Sequence, residues 1–198
     1  MKALFFVASS LALCLTFSAC ATGAPKNPPS TVEKVNLDKY IGTWYEQARI
    51  PNSFQDNGTK NGFGPCTLTQ AEYSERDDGK IDVKNTCTRH NQAGDSQTEI
   101  ATAIARVVKN SNNAKLKVNF TGIALLRWAH IGDGDYWILA LGPENNDGLY
   151  SWVLVGAPKR DYGWILSRNQ KLSQKTIDAV LEIAAQKGYD KTLFKDLR

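Results

Sequence analysis

Few side chains in this chain could carry catalysis or hold a metal. It has two histidines, His90 and His130, and four cysteines, Cys14, Cys20, Cys66 and Cys87. A zinc site gathers such ligands at short spacings, as in Cys-x-x-Cys or His-Glu-x-x-His. Neither histidine belongs to such a pattern, and neither Cys66 nor Cys87 has a partner at metal-ligand spacing. Both histidines fall in expected connections between strands, so no strand offers an axial ligand for haem. There is no Gly-x-Ser-x-Gly elbow and no glycine run to cradle a phosphate. Asp77 and Asp78 could be imagined as an acid pair, but they precede Gly79 between two alternating runs, where a hairpin turn accounts for both. The chain is therefore read as a non-enzyme with no catalytic residue, no metal and no cofactor. Action on a small hydrophobic substrate is the weaker alternative. The formal charge of +4 is mild and shows no clustered basic face, and the five tryptophans are not interleaved with Lys or Arg. No nucleic-acid partner is expected.

The cysteines sort themselves by position. Residues 1–19 open with Lys2 and continue through an apolar stretch too short to span a bilayer, which marks a targeting segment. It ends Phe17-Ser18-Ala19-Cys20. Small residues before a cysteine look like the lipobox of a bacterial lipoprotein, in which that cysteine becomes the lipidated first residue. Ordinary secretion, with cleavage after a small residue, is the alternative. Ala21 stands where an inner-membrane retention signal would place Asp. By that resemblance the protein is expected at the bacterial outer membrane, anchored through Cys20 and facing the periplasm. Residues 20–35, with three prolines and few large apolar side chains, read as a flexible tether, and residues 36–198 as one domain. Cys66 and Cys87 remain. An oxidising compartment predicts a disulfide between them, with two unpaired thiols as the alternative. Cys87 shares the inward parity of Val83, whereas Cys66 has the opposite parity to Tyr73. The bond needs a bulge, or must start in the loop before the strand.

The elements that position these residues are strands. Residues 67–74 and 80–88 alternate apolar and polar side chains around the Asp78-Gly79 turn, the pattern of a hairpin with one buried face. Strands are predicted from Gly42 up to the stop at Pro51 and over 98–109, 116–120, 136–141, 149–155 and 162–168, joined by turns rich in Asn, Asp, Gly and Pro. Eight strands in meander order leave two open edges or close, and closure gives an interior just wide enough for one small ligand. After them, Ser173 is a helix N-cap, Ile177, Val180, Leu181 and Ala184 recur at helical spacing, and Gly188 is a stop. Residues 192–194 read as a short last strand. The expected fold is all-β: an eight-stranded up-and-down antiparallel barrel with one C-terminal α-helix packed outside.

Gly42-Thr43-Trp44-Tyr45-Glu46 near the start and Trp164-Ile165-Leu166-Ser167-Arg168 at the end of the strand region carry a family resemblance. Ala71-Glu72-Tyr73-Ser74 with Asp77-Asp78-Gly79, and Leu154-Val155-Gly156 with Pro158 and Arg160-Asp161-Tyr162, add to it. Together they resemble the lipocalins, closest to bacterial outer-membrane lipoprotein lipocalins and their apolipoprotein D-like relatives, over the domain from Val35 onward. The resemblance implies a calyx that holds a small hydrophobic or amphipathic molecule. It implies that Ala71, Tyr73, Val83, Val118, Phe120, Val153, Tyr162, Trp164 and Leu166 point inward as the ligand-binding set. A barrel core filled by these same side chains is the alternative. Gly42, Trp44 and Arg168 are assigned to structure, with the Arg168 guanidinium stacked on Trp44 at the closed end. Residues 52–65 match the long first loop that partly covers the mouth, or else are an exposed loop. The expected ligand is a fatty acid, a lysophospholipid or a similar amphiphile.

Overall fold

A computed structural model of the protein describes residues 25–59, 61–122, 129 and 132–197. Cys14, Cys20, Trp128 and His130 lie outside the described residues. Among the described residues, eight antiparallel strands form a meander: β1 (Gly42–Arg49), β2 (Cys66–Glu75), β3 (Ile81–His90), β4 (Ser96–Val107), β5 (Lys115–Asn119), β6 (Asp133–Leu141), β7 (Trp152–Gly156) and β8 (Gly163–Ser167). Each pairs with the next. β1 closes the ring by pairing with β2 through Gly42–Tyr45 and with β8 through Tyr45–Arg49. A two-residue β9 (Lys195–Asp196) adds to β1 at Ala48 and Arg49. No described helix is long and apolar enough to cross a membrane.

Strand alternation separates two apolar layers. The inner one gathers Trp44, Ala71, Tyr73, Val83, Ala103, Ala105, Leu116, Val118, Ile138, Val153, Val155 and Leu166 with Tyr40 and Val35 from the segment before β1. The outer one holds Leu139, Leu154 and Ile165 against Ile177, Val180 and Ala184 of the C-terminal helix, α2 (Gln174–Gln186), which follows the short α1 (Ser53–Asp56). Ser173 caps α2 by accepting from the Thr176 N–H, and Gly188 ends it at φ +80°, where a side chain would be strained. Each Val, Leu or Ile side chain withdrawn from water in these layers contributes about 1.5–3 kcal/mol before ordering costs.

Three expectations are corrected. His90 is the last residue of β3, not part of a connection. β7 begins at Trp152, not at residue 149, because the Asn145 Oδ1 accepts from the N–H groups of Asp147 and Leu149 and ties that stretch into a turn. The last strand falls on Lys195–Asp196. Asp190 caps the Thr192 N–H and draws Lys191–Leu193 into a 3-10 turn instead.

Cys66 and Cys87 form a disulfide with Cα atoms 5.5 Å apart. Of the two routes that parity left open, the structure takes the bulge, as the β2–β3 register shifts between Cys66 and Leu68.

Candidate functional site

The barrel has a floor and a rim. At the floor the segment before β1 crosses beneath the strands. The Arg168 guanidinium lies 3.8 Å over the Trp44 ring and donates to the carbonyls of Lys39, Tyr40, Ile41 and Thr43. Gly42 sits at φ +94°, and a Cβ there would stand 3.3 Å from the same guanidinium. At the rim are α1, the β3–β4 turn and the β7–β8 turn.

Of the nine positions expected inside, Ala71, Tyr73, Val83, Val118, Val153 and Leu166 are buried in the inner layer, and Trp164 packs against it half-buried. Phe120 and Tyr162 are not brought in. Phe120 is one residue past β5 and 50% exposed, and Tyr162 is one residue before β8 and 36% exposed. Both lie beyond the last strand pairs of their strands. Tyr162 instead stacks on Trp164, rings parallel with centroids 5.7 Å apart, and Phe54 of α1 packs on both.

Low in the barrel three phenols meet. The Tyr73 hydroxyl donates to that of Tyr136 (3.0 Å), which also shares a 2.7 Å bond with that of Tyr40. Burial drives all three above the ordinary phenol range, Tyr73 to about 12, so they stay neutral donors and acceptors.

Higher up the interior turns polar. Glu46 shares the inward parity of Trp44 and is only 8% exposed. Its carboxylate accepts from the Arg49 Nη1 (3.0 Å) and the Gln55 Nε2 (2.7 Å). Burial pushes this carboxyl above the usual range, although Arg49, Gln55 and Thr69 pull it back. Arg49 also holds Asp56 through two 2.9 Å bonds and donates to the Cys66 carbonyl. Burial raises Asp56 too, but the bonds from Arg49 and from the Asn52 N–H outweigh it and leave its carboxyl below the ordinary value. The Gln55 Oε1 accepts from the Trp164 Nε1 (2.9 Å) and the Asn52 Nδ2 (2.8 Å). α1 is therefore a stopper over β1, β2 and β8, inserted through Gln55. Arg89, 4% exposed, secures it by donating to the carbonyls of Phe54, Gln55, Asn57 and Gly64.

Among the described residues, nothing caps the opposite side of the rim. Ala101 shares the inward parity of the buried Ala103 and Ala105, yet it is exposed. Solvent thus reaches the inner face of β4 above the level of Ala103. Two concavities, of about 310 and 590 Å³, lie elsewhere: one between the outward side chains of β2–β4, the other where residues 28–33 run past Trp137.

Glu46, Arg49, Gln55 and Arg89 were not expected as parts of the site. Alternation carried the signal for two of them, because Glu46 has the parity of Trp44 and Arg89 that of Val83. Gln55 carried none, since a single helical turn in a polar loop leaves no period to read. Among the described residues, no group of three or more His, Cys, Asp or Glu is placed to hold a metal ion.

Residues 35–197 match the Lipocalin-like domain family. The chain is 34% identical over 165 residues to temperature-induced lipocalin-1 of Arabidopsis thaliana, covering 83% of this chain and 80% of that protein. It is 32% identical over 194 residues to outer membrane lipoprotein Blc of Escherichia coli (strain K12), covering 98% and 96%. The fold is like that of lobster apocrustacyanin A1, with a TM-score of 0.50 at 15% identity over 88% of this chain and 92% of that one. With its closed eight-stranded barrel, external helix and Trp44–Arg168 floor, the chain belongs to the lipocalin family, whose barrels bind small ligands.

Proposed function

We propose that this lipocalin holds one amphiphile, a fatty acid or lysophospholipid, with its acyl chain among Ala71, Tyr73, Val83, Val118, Val153, Trp164 and Leu166. The polar group would rest near the rim, and Phe120 and Tyr162 would flank the entrance. The observation that carries this reading is the gradient inside the barrel: apolar walls low down, then Glu46, Arg49 and Gln55 above, with an unstoppered side at Ala101. Each buried methylene is worth about 0.8 kcal/mol, so a long chain supports micromolar affinity after ordering costs. No step needs catalysis. Residues 1–19 act as a lipoprotein signal and residues 20–35 link Cys20, acylated at the outer membrane on the periplasmic side, to the barrel, docking along its wall from Asn27 onward instead of hanging free. The likeness to a relative named an outer membrane lipoprotein over 98% of the chain supports this. The role is storage, scavenging or transport of lipid at the envelope.

A filled, purely structural barrel is the second reading, favoured by the stopper and by the dense floor. One titration separates the two. The delipidated protein is titrated with a fluorescent fatty acid, alongside Ala103→Phe, which fills inner space. The carrier reading predicts saturable binding at one site, weakened at least tenfold in the variant. A filled barrel predicts no binding by either protein.

A further inference from the structure

Every large apolar side chain exposed among the described residues, namely Phe54, Leu68, Ile100, Phe120, Tyr162 and Leu193, lies in the rim half of the barrel. Phe54 and Tyr162 are on the rim itself. Phe120 follows β5 there, and Leu68 and Ile100 are on the outer wall close below it. Leu193 precedes β9, which pairs at the rim end of β1. The floor contrasts with this. Its turns present charges of both signs, Asp38, Asp77, Asp78, Glu144 and Asp147 with Lys80 and Lys109, all exposed, and no exposed large apolar residue among the described residues. Rim charges are mixed, with Lys159, Lys191 and Lys195 beside Asp161, Asp190 and Asp196.

The N-terminal segment ends at the same place. Traced backward from the floor, Val35 donates to the Asn112 carbonyl and Val32 to the Ile138 carbonyl. The Ser30 carbonyl accepts from Lys187 past the end of α2, and the Asn27 carbonyl accepts from Arg160 in the β7–β8 turn. The chain has climbed the outer wall to the rim. Asn27 is seven positions after Cys20, a reach of at most about 25 Å. A lipid on Cys20 would therefore hold the rim, not the floor, towards its bilayer.

We propose that the rim is a membrane-docking surface: the barrel stands mouth-down on the lipid surface that carries its anchor, with Phe54, Tyr162, Phe120 and Leu193 in the headgroup layer. Aromatic side chains suit that layer, having an apolar body and a wettable edge. Mouth-down docking would let an amphiphile pass between bilayer and barrel without crossing water. The inference rests on the acylation of Cys20 proposed above, but not on a ligand being bound.

The test is hydrogen–deuterium exchange of the full mature chain on vesicles of phosphatidylethanolamine and phosphatidylglycerol (3:1), against the same protein in detergent. Residues 53–57 and 157–162 are expected to exchange at least threefold more slowly on vesicles, with the floor turns 76–80 and 143–149 unchanged. Phe54→Glu with Leu193→Glu should abolish the rim protection while the anchor keeps the protein on the vesicles. Protection of the floor turns, equal exchange at both ends, or failure to float with the vesicles would each overturn the proposal. Solvent extraction of the same sample reports lipid inside the barrel, so a failure of docking and a failure of ligand binding are read separately.

Discussion

The guanidinium of Arg168 lies over the ring of Trp44, 3.8 Å from its centroid, and joins the end of the last barrel strand to the start of the first. It also gathers carbonyls from the segment that crosses beneath the barrel. Replacing it removes a cation from the ring face and strands several part-buried acceptors at once. Arg168→Ala should cost about 2–4 kcal/mol in urea unfolding, and Arg168→Lys should recover less than half, since an ammonium has no planar fork to serve these carbonyls.

The Cys66–Cys87 disulfide spans 21 positions. The Cys66→Ser/Cys87→Ser protein should lose about 3 kcal/mol. Wild-type protein unfolded in the presence of dithiothreitol should match it, and an unchanged midpoint would show that the bridge contributes nothing.

Glu46 and Asp56 share Arg49 but titrate in opposite directions. Glu46 is raised when folded, so the folded state holds its proton more tightly than the unfolded chain. Its charge therefore opposes folding at neutral pH, and stability from this group rises as pH falls through its folded value. Asp56 is lowered, so it stabilises above its ordinary value, and this is lost as pH falls through its folded value. In Glu46→Gln, unfolding free energy measured from pH 4.5 to 7 should lose the part that declines with rising pH. In Asp56→Asn, the loss of stability at the acid end should shrink.

Arg89 fastens the stopper through four carbonyls. Arg89→Met should speed amide exchange across residues 53–57 at least tenfold while β6–β8 stay protected. Equal exchange would mean that Gln55 and Arg49 hold α1 without it.

Much of this was legible before any coordinates. Short-period alternation and Asn/Gly turns mark the strands, and parity narrowed Cys66 to a bulge or a start in the preceding loop, of which the structure has the bulge. The capped helix was legible too, because Ser173 and Gly188 bracket a clear 3.6-residue period. What stayed hidden was set by contacts distant in sequence. The Gln55–Trp164 bond joins residues 109 positions apart, and no local pattern announces it. Phe120 and Tyr162 have inward parity but sit past the ends of their strands, where parity no longer determines what covers a side chain.

Native mass spectrometry of the mature protein, followed by solvent extraction, tests the central claim most directly. The barrel should retain one acyl lipid per chain, lost in Trp164→Arg, which sets a charge in the apolar wall. A ligand-free wild-type protein that also takes up neither fatty acid nor lysophospholipid would contradict the carrier account and leave a barrel whose core is its own side chains.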